Sequence, residues 1–195
     1  MKKLQKKKYL QRNTITTGAK LLSCFKKKDV LQWLGVSGIL LGVLGGCAQW
    51  SAGKRTISPL YKKYTLNITG NGWEPMKAGK EDMALWNKQS HAMMAFITSD
   101  LENKKYTLEI LNTQLFIGLK GKKILSTEPV TIDNQKAMHT ILTGEMDDQH
   151  VKIDSYVIRT NDHIYDLVYW APSDSFEDVR SDFENAVKSF KLREE

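Results

Sequence analysis

Cysteine is scarce in this chain: of the two in 195 residues, Cys24 lies in a lysine-crowded leader and only Cys47 lies at its end. From Cys47 onward no intramolecular disulfide is possible, even in an oxidising compartment where such bonds persist, so the core must hold the fold by itself. Histidine is nearly as sparse. His91, His139, His150 and His163 show neither an H-E-x-x-H motif nor any paired ligand spacing, and with no second cysteine a metal site is not expected. No G-x-S-x-G elbow is present, no serine has a recognisable base, and Gly70-Asn71-Gly72 lacks the Lys-Ser/Thr of a phosphate-cradling loop. The sequence therefore offers no catalytic, cofactor-binding or metal-ligating residue, and a non-enzyme is expected. A basic excess is also missing where a polyanion would meet it. The whole chain carries +7, but ten of its 29 Lys and Arg residues precede Cys47 beside a single acid, Asp29, and the remaining 19 basic and 21 acidic residues sum to −2. Nucleic acid is not an expected partner.

What is present at the start is an address. Lys26-Lys27-Lys28 leads into an uncharged apolar run, Val30 to Gly46, closed by Leu44-Gly45-Gly46-Cys47. A basic start, an apolar middle and small residues before the cleavage point make an export signal. The 17-residue run is at the short end of what spans a hydrocarbon core of ~30 Å, and its five glycines make it a soft helix. A buried helix fits poorly with a run apolar all round and flanked by lysines, and the small residues before Cys47 favour a cleaved signal over an uncleaved anchor. Its four closing residues resemble the bacterial lipobox. The resemblance implies cleavage after Gly46 and acylation of Cys47, and several chains together give the lasting attachment that one acyl chain does not. Leu21-Leu22-Ser23-Cys24 has similar spelling, but polar residues precede it where an apolar segment is required. The 29-residue stretch ahead of the apolar run is longer than the usual pattern and suggests a later translation start. The expected organisation is a signal peptide over 1–46, a lipidated tether over 47–63 and a globular domain over 64–192. By the same resemblance, Ala48 in place of Asp after the cysteine points to the periplasmic face of the outer membrane in a two-membrane host, and palmitate-like chains on Cys47 make the membrane itself a partner.

Past the tether, the periodicity predicts strands at Tyr64 to Thr69, Met83 to Asn87 and Ala92 to Thr98, the last apolar on both faces and so central. Ser99-Asp100-Leu101-Glu102 spells a capping box, and Leu101, Leu108, Leu111, Leu115 and Leu119 continue one face of a long helix leaving at Gly118. Four strands follow, Ile124 to Ile132, Lys136 to Glu145, Val151 to Thr160 and His163 to Trp170, with connections short enough for antiparallel hairpins. A phase change between Val151/Ile153 and Tyr156/Ile158 predicts a bulge near Asp154-Ser155. In the fourth, Tyr165, Leu167 and Tyr169 share one face while Ile164, Val168 and Trp170 share the other. Caps at Asp174 or Ser175 open a closing helix with Phe176, Val179, Phe183, Ala186, Val187 and Phe190 on one side. The expected class is α+β, a three-layer α/β/α sandwich on a mainly antiparallel sheet.

The order of elements resembles the PsbP-like family, which includes DcrB-like lipoproteins. The resemblance rests on Tyr64 to Ile68 before Asn71-Gly72-Trp73, a central helix, and a last strand before a helix ending Val187-Lys188-Ser189-Phe190. It implies the fold and a membrane-associated, non-catalytic domain with an envelope protein partner, and assigns no binding residue. Three surface features compete for attention. Asp147, Asp148 and Asp154 form an acidic patch without the Gly-punctuated loop of a calcium site. Lys120-Gly121-Lys122-Lys123 with Lys104-Lys105 is a basic patch near an expected helix end, where lysines suit the negative pole. Trp73, Trp86 and Trp170 are candidates to line a pocket between sheet and helix. An apolar cavity for a small molecule or lipid is the first alternative function, and a hydrolase of unfamiliar design the second.

Overall fold

The structure, a computed structural model, describes residues 55–57, 63–76, 82–146 and 148–193; Gly46 and Cys47 lie outside them. Chain order is β1 (Arg55–Ile57), β2 (Tyr64–Ile68), β3 (Trp73–Pro75), β4 (Met83–Asn87), β5 (Ala92–Asp100), α1 (Leu108–Leu115), β6 (Lys120–Ile132), β7 (Gln135–Met146), β8 (Gln149–Arg159), β9 (His163–Pro172), α2 (Arg180–Lys188) and β10 (Lys191–Leu192). Seven strands form one antiparallel sheet in the order β3-β4-β5-β9-β8-β7-β6, and β1-β2-β10 form a second, smaller one.

The β6–β7 hairpin shows how local sequence sets this topology. Asp133 and Asn134 are its two turn residues, with φ of 48° and 61°, the left-handed pair that matches the twist of flanking strands. β9 then displays the expected alternation. Tyr165, Leu167, Tyr169 and Ala171 join the core shared with α2 and β2, while Ile164, Val168 and Trp170 join the one beneath α1. Side chains of successive strand residues point to opposite faces, so a central strand buried on both sides needs apolar residues throughout.

Five expectations are corrected. Ser99 and Asp100 do not start a helix: they extend β5, pairing with Ile164 and His163, and Leu101 N–H donates to Asp162 O at 2.7 Å. Sheet pairing satisfies those backbone groups better than a local capping box, so α1 starts only after its true cap, Thr107, whose hydroxyl accepts from Ile110 N–H. β8 has no bulge at Asp154-Ser155; its register runs unbroken against β7 and β9. The phase change arises because both faces are buried, with Val151, Ile153 and Val157 on one and Asp154, Tyr156 and Ile158 on the other. The register shifts lie in β6, between Lys120 and Lys123 and between Ile124 and Ser126.

β2 does not extend the large sheet but pairs with β1 and β10, laying Tyr64, Leu66 and Ile68 against the α2 core. β1 falls in the stretch read as tether, where three residues carry too short an alternation to register as a strand. The closing helix begins at Arg180 rather than near Ser175, and its N-cap, Val179, makes no side-chain cap. Ser175 Oγ instead donates to Ser90 O at 2.8 Å, and Phe176 is fully buried in the turn that precedes the helix.

Candidate functional site: a closed charge cluster around Asp154

Asp154 sits at the centre of β8 on the α2 side of the sheet, with no exposed surface. A buried carboxylate demands partners, since an isolated charge costs several kcal/mol or more. Two elements supply them. β7 places His139 beside it, with Nε2 at 2.8 Å from Oδ1, and α2 opens with Arg180, whose Nε donates to Oδ2 at 2.9 Å. His139 also has Nδ1 at 3.1 Å from Glu128 Oε1 on β6, and its ring stacks on Tyr156 with centroids 4.2 Å apart. Arg180 reaches Glu177 and Glu184 at 3.4 Å each, and Lys152 donates to Glu177 at 2.9 Å. Both Lys152 and Arg180 lie over the Phe176 ring, at 4.3 and 5.5 Å.

Both nitrogens of His139 face carboxylate oxygens, which only accept, an arrangement that favours the imidazolium with its two N–H donors. Its pKa follows this geometry: burial pulls it down, and the hydrogen bonds and charges of Asp154 and then Glu128 outweigh that and hold it above its ordinary value. Lys152 does the converse to Glu177, holding it below the usual carboxylate range. In the protonated ring neither nitrogen has a lone pair free for a substrate proton. The cluster therefore ties α2 to the sheet through β6, β7 and β8.

The sequence offered His139 as one of four histidines without ligand spacing, and Asp154 as part of an acidic patch. The structure separates that patch: Asp154 is sealed inside, Asp148 is exposed in the β7–β8 turn with a φ of 62°, and Asp147 lies outside the described residues. His150 is exposed at the start of β8, His163 begins β9 with Nε2 3.6 Å from Asp100, and His91 occupies the β4–β5 hairpin with a φ of 50°. Among the described residues no three His, Cys, Asp or Glu side chains are placed to hold a metal ion. The tryptophans divide between the two faces. Trp73 enters the α2 core, and Trp86 and Trp170 meet on the other side with centroids 5.9 Å apart. The basic patch divides as well: Lys104 follows β5 and pairs with Asp162 at one end of the sheet, while Lys120 to Lys123 open β6 at the other. Those lysines are not at the end of a helix, because α1 closes at Leu115.

Arg180 is the member that sequence reasoning missed. An arginine spaced three and four residues from Glu177 and Glu184 is an ordinary surface pattern, and only the sheet register reveals the buried acid beneath it.

No protein-family pattern matches the chain, and no curated protein is significantly similar to it in sequence. Solved structures do match. Cyanobacterial PsbP (CyanoP) from Synechocystis sp. PCC 6803 is similar over 78% of this chain and 98% of its own, with a TM-score of 0.53 and 17% identity. LpqN of Mycobacterium tuberculosis, described as involved in cell envelope biogenesis, is similar over 73% of this chain and 91% of its own, with a TM-score of 0.56 and 8% identity. A Bacteroides thetaiotaomicron protein is similar over 74% of this chain and 50% of its own, with a TM-score of 0.52 and 13% identity. At these identities the likeness concerns the fold alone: a mostly antiparallel sheet with two helices, similar to that of PsbP. No helix among the described residues is long and apolar enough to cross a membrane.

Proposed function

We propose that this protein is a lipid-anchored bacterial envelope protein whose PsbP-like domain is a non-catalytic binding or assembly module. Its leader, 1–46, is removed after Gly46, and acylated Cys47 holds the domain at the membrane, in a two-membrane host on the periplasmic face of the outer membrane. The domain is a three-layer sandwich, with α1 and α2 covering opposite faces of the large sheet.

The observation that carries the non-catalytic reading is the closure of the Asp154 cluster. Its charges are used on one another, with His139 and Arg180 both bonded to the buried Asp154. The lipobox Leu44-Gly45-Gly46-Cys47 carries the anchoring, and the likeness to LpqN, an envelope biogenesis protein, supports the setting. The test is crosslinking in cells followed by mass spectrometry of captured neighbours, alongside a Cys47→Ser variant. The reading expects a reproducible envelope partner and loss of membrane fractionation in the variant; unchanged fractionation contradicts the anchor.

A further inference from the structure

One register row crosses the whole large sheet: Glu74, Trp86, Met93, Trp170, Ile153, Leu142 and Ile124, one residue from each strand. It marks one end of the sheet, and two features collect there. The first is the entry of the chain. Arg55 pairs with Ile68, and Thr69 to Gly72 then turn directly into Trp73, the first residue of β3, beside Asn87. Gly70 and Trp73 both abut Asp182, which fixes that turn against α2. Cys47 is eight peptide steps before Arg55, a reach of no more than about 28 Å.

The second feature is the opening of β6, the free edge of the sheet. Lys120, Lys122 and Lys123 are exposed and form no ion pair with a described residue, whereas Lys104, Lys152 and Lys191 all do. Beside them Ile117, Ile124 and Leu125 leave about half of their surfaces in water, at 49%, 54% and 49%. These are three of the four large apolar side chains exposed among the described residues. Leu119 packs over Gly144, which pins this stretch to the end of β7. Between Leu119 and Ser126 there is no acid. The acids described at this end are Glu145, opposite Lys120, and Asp148, exposed in the adjoining β7–β8 turn.

From this the geometry points to the β6 opening, Ile117 to Leu125, as a docking surface for the anionic phospholipid surface of the membrane that holds Cys47. The inference rests on the lipid-anchor reading above. Aliphatic side chains flanked by lysines suit an interface where apolar groups enter the headgroup boundary and cations meet anionic lipid. Each lysine near such a surface strengthens partition about fivefold, so three together are worth about a hundredfold. Arg55, the first described residue after Cys47, and the patch lie towards one end of the sheet, so the domain stands with the opening of β6 and the β3 turn towards the bilayer and the β6–β7 hairpin away from it.

The test uses the mature lipidated protein, purified from membranes and placed in phosphatidylglycerol-rich or purely phosphatidylcholine vesicles. An environment-sensitive fluorophore is attached at Leu125→Cys or, on the far end, at Lys136→Cys; acylated Cys47 takes no label. The expected result is quenching of the Leu125 probe by lipid-borne nitroxide in anionic vesicles at low salt. That quenching is lost in neutral vesicles, at high salt and in a Lys120→Glu/Lys122→Glu/Lys123→Glu variant, while the Lys136 probe stays aqueous throughout. A protein that floats with the vesicles but keeps the Leu125 probe as aqueous as the Lys136 probe overturns the docking surface alone. A protein that floats with neither vesicle and takes label on Cys47 overturns the lipid anchor and the docking surface together.

Discussion

The indole Nε1 of Trp73 donates to Asp182 Oδ2 at 2.9 Å, joining the first strand of the large sheet to the first turn of α2. The same carboxylate fills the space above Gly70: a Cβ there would fall 2.0 Å from that oxygen, and Gly70 has a φ of 93°. Gly70→Ala is therefore expected to cost about 1–3 kcal/mol, since it adds left-handed strain to a steric clash. Urea unfolding measures it. Asp182→Ala alone should cost about 1–2 kcal/mol by orphaning the buried indole, and the double variant should lose less than the sum of the two. Strict additivity would contradict the shared contact.

Asp154 neutralises two cations that are themselves largely buried. Asp154→Ala leaves His139 and Arg180 facing an empty, low-dielectric site, and a loss of about 3 kcal/mol or more is expected. Arg180→Met, which keeps the stem over Phe176 but removes the charge, should also destabilise and should raise hydrogen exchange in α2 before the β-sheet. Exchange rising uniformly would count against the cluster as the tie that holds α2.

The pH dependence has a definite sign. His139 has a folded-state pKa above its unfolded value of about 6.5, so its contribution is complete below that unfolded value and disappears as pH rises through the folded one. Stability should therefore decline as pH rises above about 6.5 and through the folded-state value. His139→Gln, which does not titrate, should flatten that slope. A wild-type slope of the opposite sign, or one unaltered by the substitution, is the contrary result.

α1 is pinned by a polar contact inside an apolar layer. Thr140 donates its hydroxyl to Asn112 Oδ1 at 3.1 Å, and Thr127 lies 3.2 Å from the same hydroxyl. Asn112→Leu, which leaves buried Thr140 without its acceptor, is expected to cost about 1–3 kcal/mol, measured by thermal unfolding. Pairing it with Thr140→Val should restore part of the loss.

The sheet was largely legible because its signals are local. Period-two alternation in β7 to β9 and the Asp133-Asn134 turn declare a hairpin series without reference to the rest of the chain. Elements decided by tertiary partners were not. Ser99 and Asp100 spell a helix start and become strand because β9 lies beside them; β2 reads as a member of the main sheet and is claimed by β1 and β10. Asp154 shows the same limit at the site. An acid following Ile153 looked like a turn-side charge, and its burial depends on His139 and Arg180 arriving from 15 positions before it and 26 after. Cys47 stands apart, since its reading depends only on the residues immediately before it.

The proposed anchor is a set of acyl chains on Cys47 that hold the domain at a bilayer. Mass spectrometry of the N-terminal peptide from the membrane fraction tests it most directly. The expected result is a peptide that begins at Cys47 and carries the added mass of a diacylglyceryl group. An intact leader joined to an unmodified Cys47 thiol, recovered from the soluble fraction, would contradict it.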